Sequence, residues 1–246
     1  MNLLKALTIY FCYAISSFAF SQENLNPIIN KLNAGEAAIG TFTRDPRFDL
    51  DFVVIDEQYG DINDSLLRRM IYDLSDGDGS PVAAPVVRPP LNMRDTPEQV
   101  IPGIIEAGAY GILFPDIENK SQAEAAIAAM RRDRDEVWGS ADYGVLVAMI
   151  MIESPEGIAN LHEIVEVPGV SVLFVGPTDM ASYIDAEGAN APEVEAMVQE
   201  VLAVCLDRNI ACGYPIVASS PADAQQQTSN RLRQGFKVLA VMTRAR

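Results

Sequence analysis

The chain has 246 residues, of which 34 are acidic and 18 are lysine or arginine, so its formal net charge at pH 7 is −16. This excess of negative charge argues against nucleic acid or an anionic membrane as a partner. The length suits a single barrel-sized domain. His162 is the only histidine and the chain has no Cys-x-x-Cys pair, so the usual kind of zinc site is not expected.

The first 21 residues have the pattern of a signal peptide. A lysine at position 5 precedes an apolar stretch at 6–20, and Ala19-Phe-Ser21 fits a small-x-small cleavage site before Gln22. The sequence therefore predicts a signal peptide at 1–21, a mature domain at 22–246, and export to the periplasm or medium. The alternative is an uncleaved anchor. No other segment approaches the ~20 apolar residues that a membrane span needs.

Three cysteines occur, and the first lies within the predicted signal peptide. Cys205 falls in a helical pattern and Cys212 in a strand pattern. An exported compartment permits a disulfide, but pairing requires Cα atoms within about 7 Å of each other. We expect two buried free thiols.

Apolar, strand-like runs alternate with helical patterns along the whole mature chain, as in repeated β/α units. Eight strands are predicted, at 37–42, 52–55, 84–87, 111–114, 145–152, 171–175, 210–215 and 236–241. Helices are predicted at 27–33, 62–74, 97–106, 121–132, 161–165, 192–208 and 220–234, the fourth beginning with a Ser121/Glu124 capping box. Eight strands favour an α/β fold with a single closed (β/α)8 TIM barrel.

Two of the apolar runs end in a carboxylate. Residues 145–152 lead into Glu153, and residues 171–175 lead through Gly176-Pro177-Thr178 into Asp179. A β/α barrel has its chemistry at the carboxyl ends of its strands, and two hard oxygen ligands on adjacent strands suit Mg²⁺ or Mn²⁺. Either acid alone would more often form a cap or a turn, but the pair predicts a metal site.

From about residue 33 to 243 the chain resembles the HpcH/HpaI family, the metal-dependent (class II) pyruvate aldolases of the citrate lyase β-like superfamily. The resemblance rests on six segments in the order of the family: FVVID at 52–56, VRPP at 87–90, EAGAYGILFP at 106–115, MIE at 151–153, NLHEIVEVPG at 160–169 and GPTD at 176–179. The blocks around Glu153 and Asp179 are the most specific.

The resemblance implies formation of a pyruvate enolate with Mg²⁺ or Mn²⁺, and with Co²⁺ as a further candidate. It makes Glu153 and Asp179 the metal ligands. Arg88 becomes the cation that faces the developing enolate oxygen, since arginine is always charged and offers forked donors. Gly176 and Pro177 would bring backbone close to the substrate carboxylate. The implied substrates are a 2-oxo acid and an aldehyde, and the family's assemblies imply a homo-oligomer.

After the second strand this sequence departs from the family. The family has Asp-x-Glu/Gln-His there, whereas this chain has Asp56-Glu57-Gln58-Tyr59-Gly60. Asp56 and Gln58 fit the pattern, and Tyr59 replaces the histidine that the family uses as acid and base. A tyrosine has a pKa of roughly 10 and is a poor base, although it can donate a hydrogen bond or a proton. His162, at a helix start, is read as structural.

Three functions are compatible with these residues. The first is a metal-dependent carbon–carbon lyase, acting by retro-aldol cleavage of a 4-hydroxy-2-oxo acid or by oxaloacetate-type decarboxylation. The second is an exported protein of the same fold that binds metal and a 2-oxo acid without aldol turnover, which the Tyr59 replacement favours. The third is a citryl- or malyl-CoA-type lyase, which the acidic charge and the lack of an obvious phosphate loop disfavour. Segment 131–143 lacks the family's substrate-mouth loop, so the sequence does not identify the substrate.

Overall fold

The computed structural model describes residues 25–45, 47, 49–76, 78–131, 137–139 and 144–243. The predicted signal peptide at 1–21 and most of segment 131–143 lie outside the described residues.

Eight parallel strands form a closed barrel in chain order, which confirms the predicted fold. The strands are β1 Ala38–Phe42, β2 Phe52–Asp56, β3 Ala84–Arg88, β4 Gly111–Phe114, β5 Val147–Ile152, β6 Val170–Val175, β7 Ala211–Ala218 and β8 Val238–Thr243. Most are almost entirely buried, because a parallel sheet wrapped in helices is covered on both faces.

The apolar core has two main layers. Side chains that alternate inward along the strands fill the barrel interior, among them Phe52 and Phe174. The outward-facing side chains pack against the surrounding helices in a larger cluster. This packing fixes the strands and therefore the positions of the residues at their carboxyl ends.

The helices in the described part of the chain surround the barrel, except that the first packs against the interior cluster through Ile28 and Ile29. They are α1 Pro27–Asn33, α2 Asp64–Tyr72, α3 Ile101–Glu106, α4 Lys120–Met130, α5 Pro155–Ala159, α6 Leu161–Val165, α7 Pro177–Tyr183, α8 Pro192–Asp207 and α9 Pro221–Gln234, with 3₁₀ turns at Leu91–Met93 and Pro97–Gln99. None of these helices is long and apolar enough to cross a bilayer. His162 lies exposed on α6.

The predicted start of α4 was wrong. The N-cap is Asn119, whose side-chain oxygen accepts a hydrogen bond from the backbone N–H of Gln122, so the helix begins before Ser121. Asparagine and serine are comparable N-caps, and Asn119 is the one whose side chain reaches an unpaired N–H.

The prediction of two free thiols was also wrong. Cys205 near the end of α8 and Cys212 near the start of β7 form a disulfide, with their Cα atoms 5.7 Å apart. The turn between helix and strand brings two residues only seven positions apart within pairing distance. Both side chains remain buried.

Candidate functional site

All eight predicted site residues line one cavity of about 370 Å³ at the end of the barrel where the strands terminate. They are Asp56, Gln58, Tyr59, Arg88, Glu153, Gly176, Pro177 and Asp179. The closed barrel brings these residues together because each follows or ends a parallel strand, and such ends converge on one face.

Glu153 lies at the bottom of this cavity, directly after β5. Only 1% of its surface is exposed. Its Oε2 accepts a hydrogen bond of 2.8 Å from the backbone N–H of Asp116. Among the described residues, no group donates to its Oε1, although this oxygen is also buried. A buried carboxylate oxygen without a donor is costly, so Oε1 is suited to bind a cation.

Asp179 faces Glu153 from the first turn of α7. The pKa of Glu153 is raised to about 8. The largest cause is burial, and the hydrogen bond to Asp179 and the negative charge of Asp179 add to it. Two ionised carboxylates cannot donate to each other, so the pair either holds a proton or binds a cation. If Glu153 holds that proton, its hydroxyl donates a hydrogen bond to the carboxylate of Asp179.

Gly176 makes room for the Glu153 carboxylate. A Cβ atom built on Gly176 would lie 2.5 Å from Cγ of Glu153 and would overlap its carboxylate. Gly176 is also the N-cap of α7, and Pro177 is its first residue, a position where the missing N–H of proline is harmless. The Gly-Pro pair thus lets the chain turn against Glu153 and into the helix that bears Asp179.

Arg88 and Asp56 form a bidentate ion pair across adjacent strands. They are in register at the ends of β3 and β2, and Nε and Nη2 of Arg88 donate to the two Asp56 oxygens at 2.8 and 2.6 Å. Burial acts to raise the pKa of Asp56, but the hydrogen bonds and charge of Arg88 hold it below its usual value. Nη1 of Arg88 makes only a long contact of 3.9 Å to Sδ of Met151. This edge of the guanidinium is therefore open to a ligand.

Tyr59 and Gln58 line the same cavity with very different exposure. Tyr59 is 81% exposed. The partial burial of its side chain and, secondly, the negative charge of Asp179 raise the pKa of Tyr59 above the usual value. It therefore stays protonated at neutral pH. Gln58 is 5% exposed, and its Oε1 has no hydrogen-bond partner among the described residues.

The sequence did not predict the contacts that support Glu153. Asp116 has a left-handed backbone conformation, with φ of 51°, which directs its N–H at Glu153. Its carboxylate accepts a hydrogen bond of 2.8 Å from Arg94 and is 3.2 Å from the hydroxyl of Tyr183. Arg94 also pairs with Glu118 at 3.0 Å. These contacts hold the strained turn that positions the buried carboxylate.

The donor set fits a hard divalent cation, which the carboxylates of Glu153 and Asp179 could hold. Carboxylate oxygens in a small number, with remaining positions open to water or substrate, suit Mg²⁺ or Mn²⁺. The described residues contain no group of three or more His, Cys, Asp or Glu side chains that could hold a metal.

The fold and the cavity define a TIM barrel with paired carboxylates at the carboxyl ends of adjacent strands. The profile of the HpcH/HpaI aldolase/citrate lyase family matches residues 41–240, and the chain belongs to this family.

Curated relatives include 5-keto-4-deoxy-D-glucarate aldolase of Escherichia coli (strain K12 / DH10B) and of Shigella sonnei (strain Ss046). Each is 32% identical to this chain over 164 residues, which cover 58% of this chain and 61% of the relative. The chain thus spans less than two thirds of the length of these relatives.

Solved structures confirm the fold. A citrate synthase, SbnG, has a TM-score of 0.69 at 19% identity, covering 87% of this chain and 89% of its own. An HpcH/HpaI aldolase from Desulfitobacterium hafniense has a TM-score of 0.69 at 14% identity, covering 88% and 90%. Macrophomate synthase has a TM-score of 0.68 at 19% identity, covering 89% and 83%.

Proposed function

We propose that this protein is a divalent-metal-dependent carbon–carbon lyase that forms a pyruvate enolate from a 2-oxo acid. The reaction is retro-aldol cleavage of a 4-hydroxy-2-oxo acid to pyruvate and an aldehyde, or decarboxylation of the oxaloacetate type. The observation that carries this proposal is the buried Oε1 of Glu153, which has no donor among the described residues and faces the cavity beside Asp179. Family membership supports a lyase. The sugar acid in the name of the E. coli relative is not proposed as the substrate of this protein.

Glu153 and Asp179 would hold the metal, with Mg²⁺ and Mn²⁺ preferred and Co²⁺ as a further candidate. A divalent metal at this position supplies a Lewis acid that withdraws electron density from the keto group. Gly176 and Pro177 line the cavity beside these acids, where backbone can approach the substrate carboxylate.

Arg88 stabilises the charge that develops on the enolate oxygen. Asp56 holds the guanidinium in place through two hydrogen bonds, and Nη1 makes only the 3.9 Å contact to Sδ of Met151 in the lining of the cavity. A fixed donor aimed at a developing charge needs no reorganisation during the reaction, which is why such groups lower barriers. The low pKa of Asp56 keeps this ion pair charged at neutral pH.

Tyr59 acts as a proton donor rather than as a base. Its raised pKa keeps the phenol protonated, so it can protonate the enolate carbon or donate a hydrogen bond. Decarboxylation releases CO₂ and needs no base, whereas retro-aldol cleavage requires removal of the 4-hydroxyl proton. The replacement of histidine by Tyr59 therefore favours decarboxylation over aldol cleavage.

A second candidate is a protein of the same fold that binds metal and a 2-oxo acid without turnover. The observation that favours it is again Tyr59, because no described histidine faces the cavity. Such a protein would bind pyruvate with metal but would not exchange its methyl protons.

Proton NMR of pyruvate in D₂O separates these candidates. With residues 22–246 and Mg²⁺, an enzyme that forms the enolate exchanges the methyl protons for deuterium, and EDTA abolishes the exchange. Binding of pyruvate or oxalate without exchange would favour the binding protein or a decarboxylase, and oxaloacetate turnover distinguishes those two. Absence of both metal binding and pyruvate binding would refute the proposed site.

Export of the protein is a separate proposal, with cleavage after Ser21. It is supported by the signal-like composition of residues 1–21 and by the disulfide between Cys205 and Cys212, because disulfides persist in oxidising compartments. Intact-mass measurement of the protein recovered from the periplasm or medium tests it. The expected N-terminus is Gln22, and a full-length cytoplasmic product would contradict export.

A further inference from the structure

The mouth of the barrel has two chemically different halves. Inward-facing residues alternate along each strand, and at the ends of β2 and β3 they are Asp56 and Arg88. At the corresponding ends of β7, β8 and β1 the cavity is lined instead by Val217, Met242 and Phe42. Val217 and Met242 are in register on adjacent strands, and the Phe42 ring centroid lies 5.0 Å from Cζ of Arg88. The apolar half is thus contiguous with the charged half.

The apolar side chains of this half remain accessible. Val217 is 43% exposed, although it is a large apolar residue at the end of a barrel strand. Phe42, Pro215 and Met242 are only partly buried. An accessible apolar surface inside a concave site is a binding surface for hydrocarbon.

The charges of the cavity would repel a second carboxylate. Among the described lining residues, Arg88 is the sole cation, and it is already paired with Asp56. The same lining contributes the carboxylates of Glu153 and Asp179 in addition to Asp56. A carboxylate placed on the apolar half would lose hydration without gaining a cation, which is unfavourable.

We propose that the substrate is a 2-oxo acid whose end remote from the keto group is an uncharged alkyl or aryl group. This tail packs on Phe42, Val217 and Met242, which form the apolar half. The inference rests on the proposed function, because the oxo-acid end must bind near Glu153 and Asp179. In the lyase direction, the aldehyde that leaves is apolar.

Calorimetry with two matched 2-oxo acids tests this preference without turnover. 5-Methyl-2-oxohexanoate and 2-oxoglutarate have the same carbon chain up to an isopropyl group in one and a carboxylate in the other. With Mg²⁺ present, we expect the branched acid to bind at least about tenfold more tightly. Equal affinity, or tighter binding of 2-oxoglutarate, would overturn the inference.

A charged side chain introduced in the apolar half should change this preference. In Val217→Arg, 2-oxoglutarate should gain and 5-methyl-2-oxohexanoate should lose about tenfold in affinity. Val82→Arg is the matched control, because Val82 is also exposed and lies outside the cavity. An unchanged preference in folded Val217→Arg would show that the tail does not lie there.

Pyruvate, which has no tail, separates failure of this inference from failure of the proposed function. If pyruvate binds with Mg²⁺ but the branched acid does not surpass 2-oxoglutarate, only the tail specificity is wrong. If none of the three acids binds with Mg²⁺, the oxo-acid site is wrong, and the tail inference is overturned with it.

Discussion

Replacing Glu153 with glutamine should stabilise the metal-free protein and at the same time abolish metal binding. The folded protein raises the pKa of Glu153 from 4.5 to about 8, because the group is buried and faces Asp179. Each tenfold shift in a protonation equilibrium corresponds to about 1.4 kcal/mol. Ionised Glu153 therefore costs the metal-free fold at most about 5 kcal/mol. Glutamine has the same shape without the charge, can still accept from Asp116, and can donate to Asp179.

The sign of the pH dependence follows from the same pKa. Because the folded pKa lies above the unfolded value, the wild-type protein in EDTA should lose stability as pH rises from about 4.5 to about 8. Above that range the full cost is present. In Glu153→Gln this loss should be absent. Saturating Mg²⁺ should restore stability to the wild type alone, since only its folded state binds the ion tightly.

Urea unfolding in EDTA at about pH 5 and about pH 9 measures both effects. Glu200→Gln, an exposed acid on α8, is the control and should keep the wild-type pH dependence. If Glu153→Gln is no more stable than the wild type at about pH 9, the repulsion between the two buried carboxylates is not as the structure describes.

Three further substitutions test the surroundings of the site. Gly176→Ala should weaken Mg²⁺ binding about 10- to 100-fold, because the added Cβ displaces Glu153. The control is Gly103→Ala, whose Cβ would meet no atom within 4 Å. Its Mg²⁺ affinity, measured by calorimetry, should equal that of the wild type. Arg94→Gln should lower Mg²⁺ affinity and pyruvate exchange about tenfold by releasing the turn that holds Glu153, and wild-type affinity would contradict this support. Tyr59→Phe should leave Mg²⁺ affinity intact but slow pyruvate formation from oxaloacetate about 100-fold, because the phenol would no longer protonate the enolate carbon. An unchanged rate would assign that protonation to water.

The sequence predicted the barrel well because its strands are nearly continuous apolar runs, a pattern set by burial on both faces. Errors occur at the ends, where the pattern fades: β7 extends to Ala218, beyond the predicted end at 215. The predicted end of the last helix at residue 234 was confirmed: Gly235 follows it with a left-handed φ of 117°, which glycine adopts freely. Two short helices, α5 and α7, were missed, although proline follows Ser154 and Gly176 as in a typical first turn.

Site residues that act through their side chains were predictable from the sequence, whereas residues that act through a backbone group were not. Glu153 and Asp179 follow strands and could be found from their positions. The donor to Glu153 is the N–H of Asp116, which any residue except proline would offer, so only the geometry reveals it. The disulfide likewise depends on a turn that brings Cys205 to Cys212, and spacing alone does not report that distance.

The closure of the barrel by β8 has a consequence for how the protein is made. The last strand pairs with both β7 and β1, and the hydroxyl of Thr41 donates to the carbonyl of Val241 across 200 residues of sequence. Until β8 is synthesised, β1 and β7 are the open edges of an incomplete sheet, and such edges pair readily with other chains. We therefore expect a nascent chain to be prone to pairing with other chains until its final strand is available.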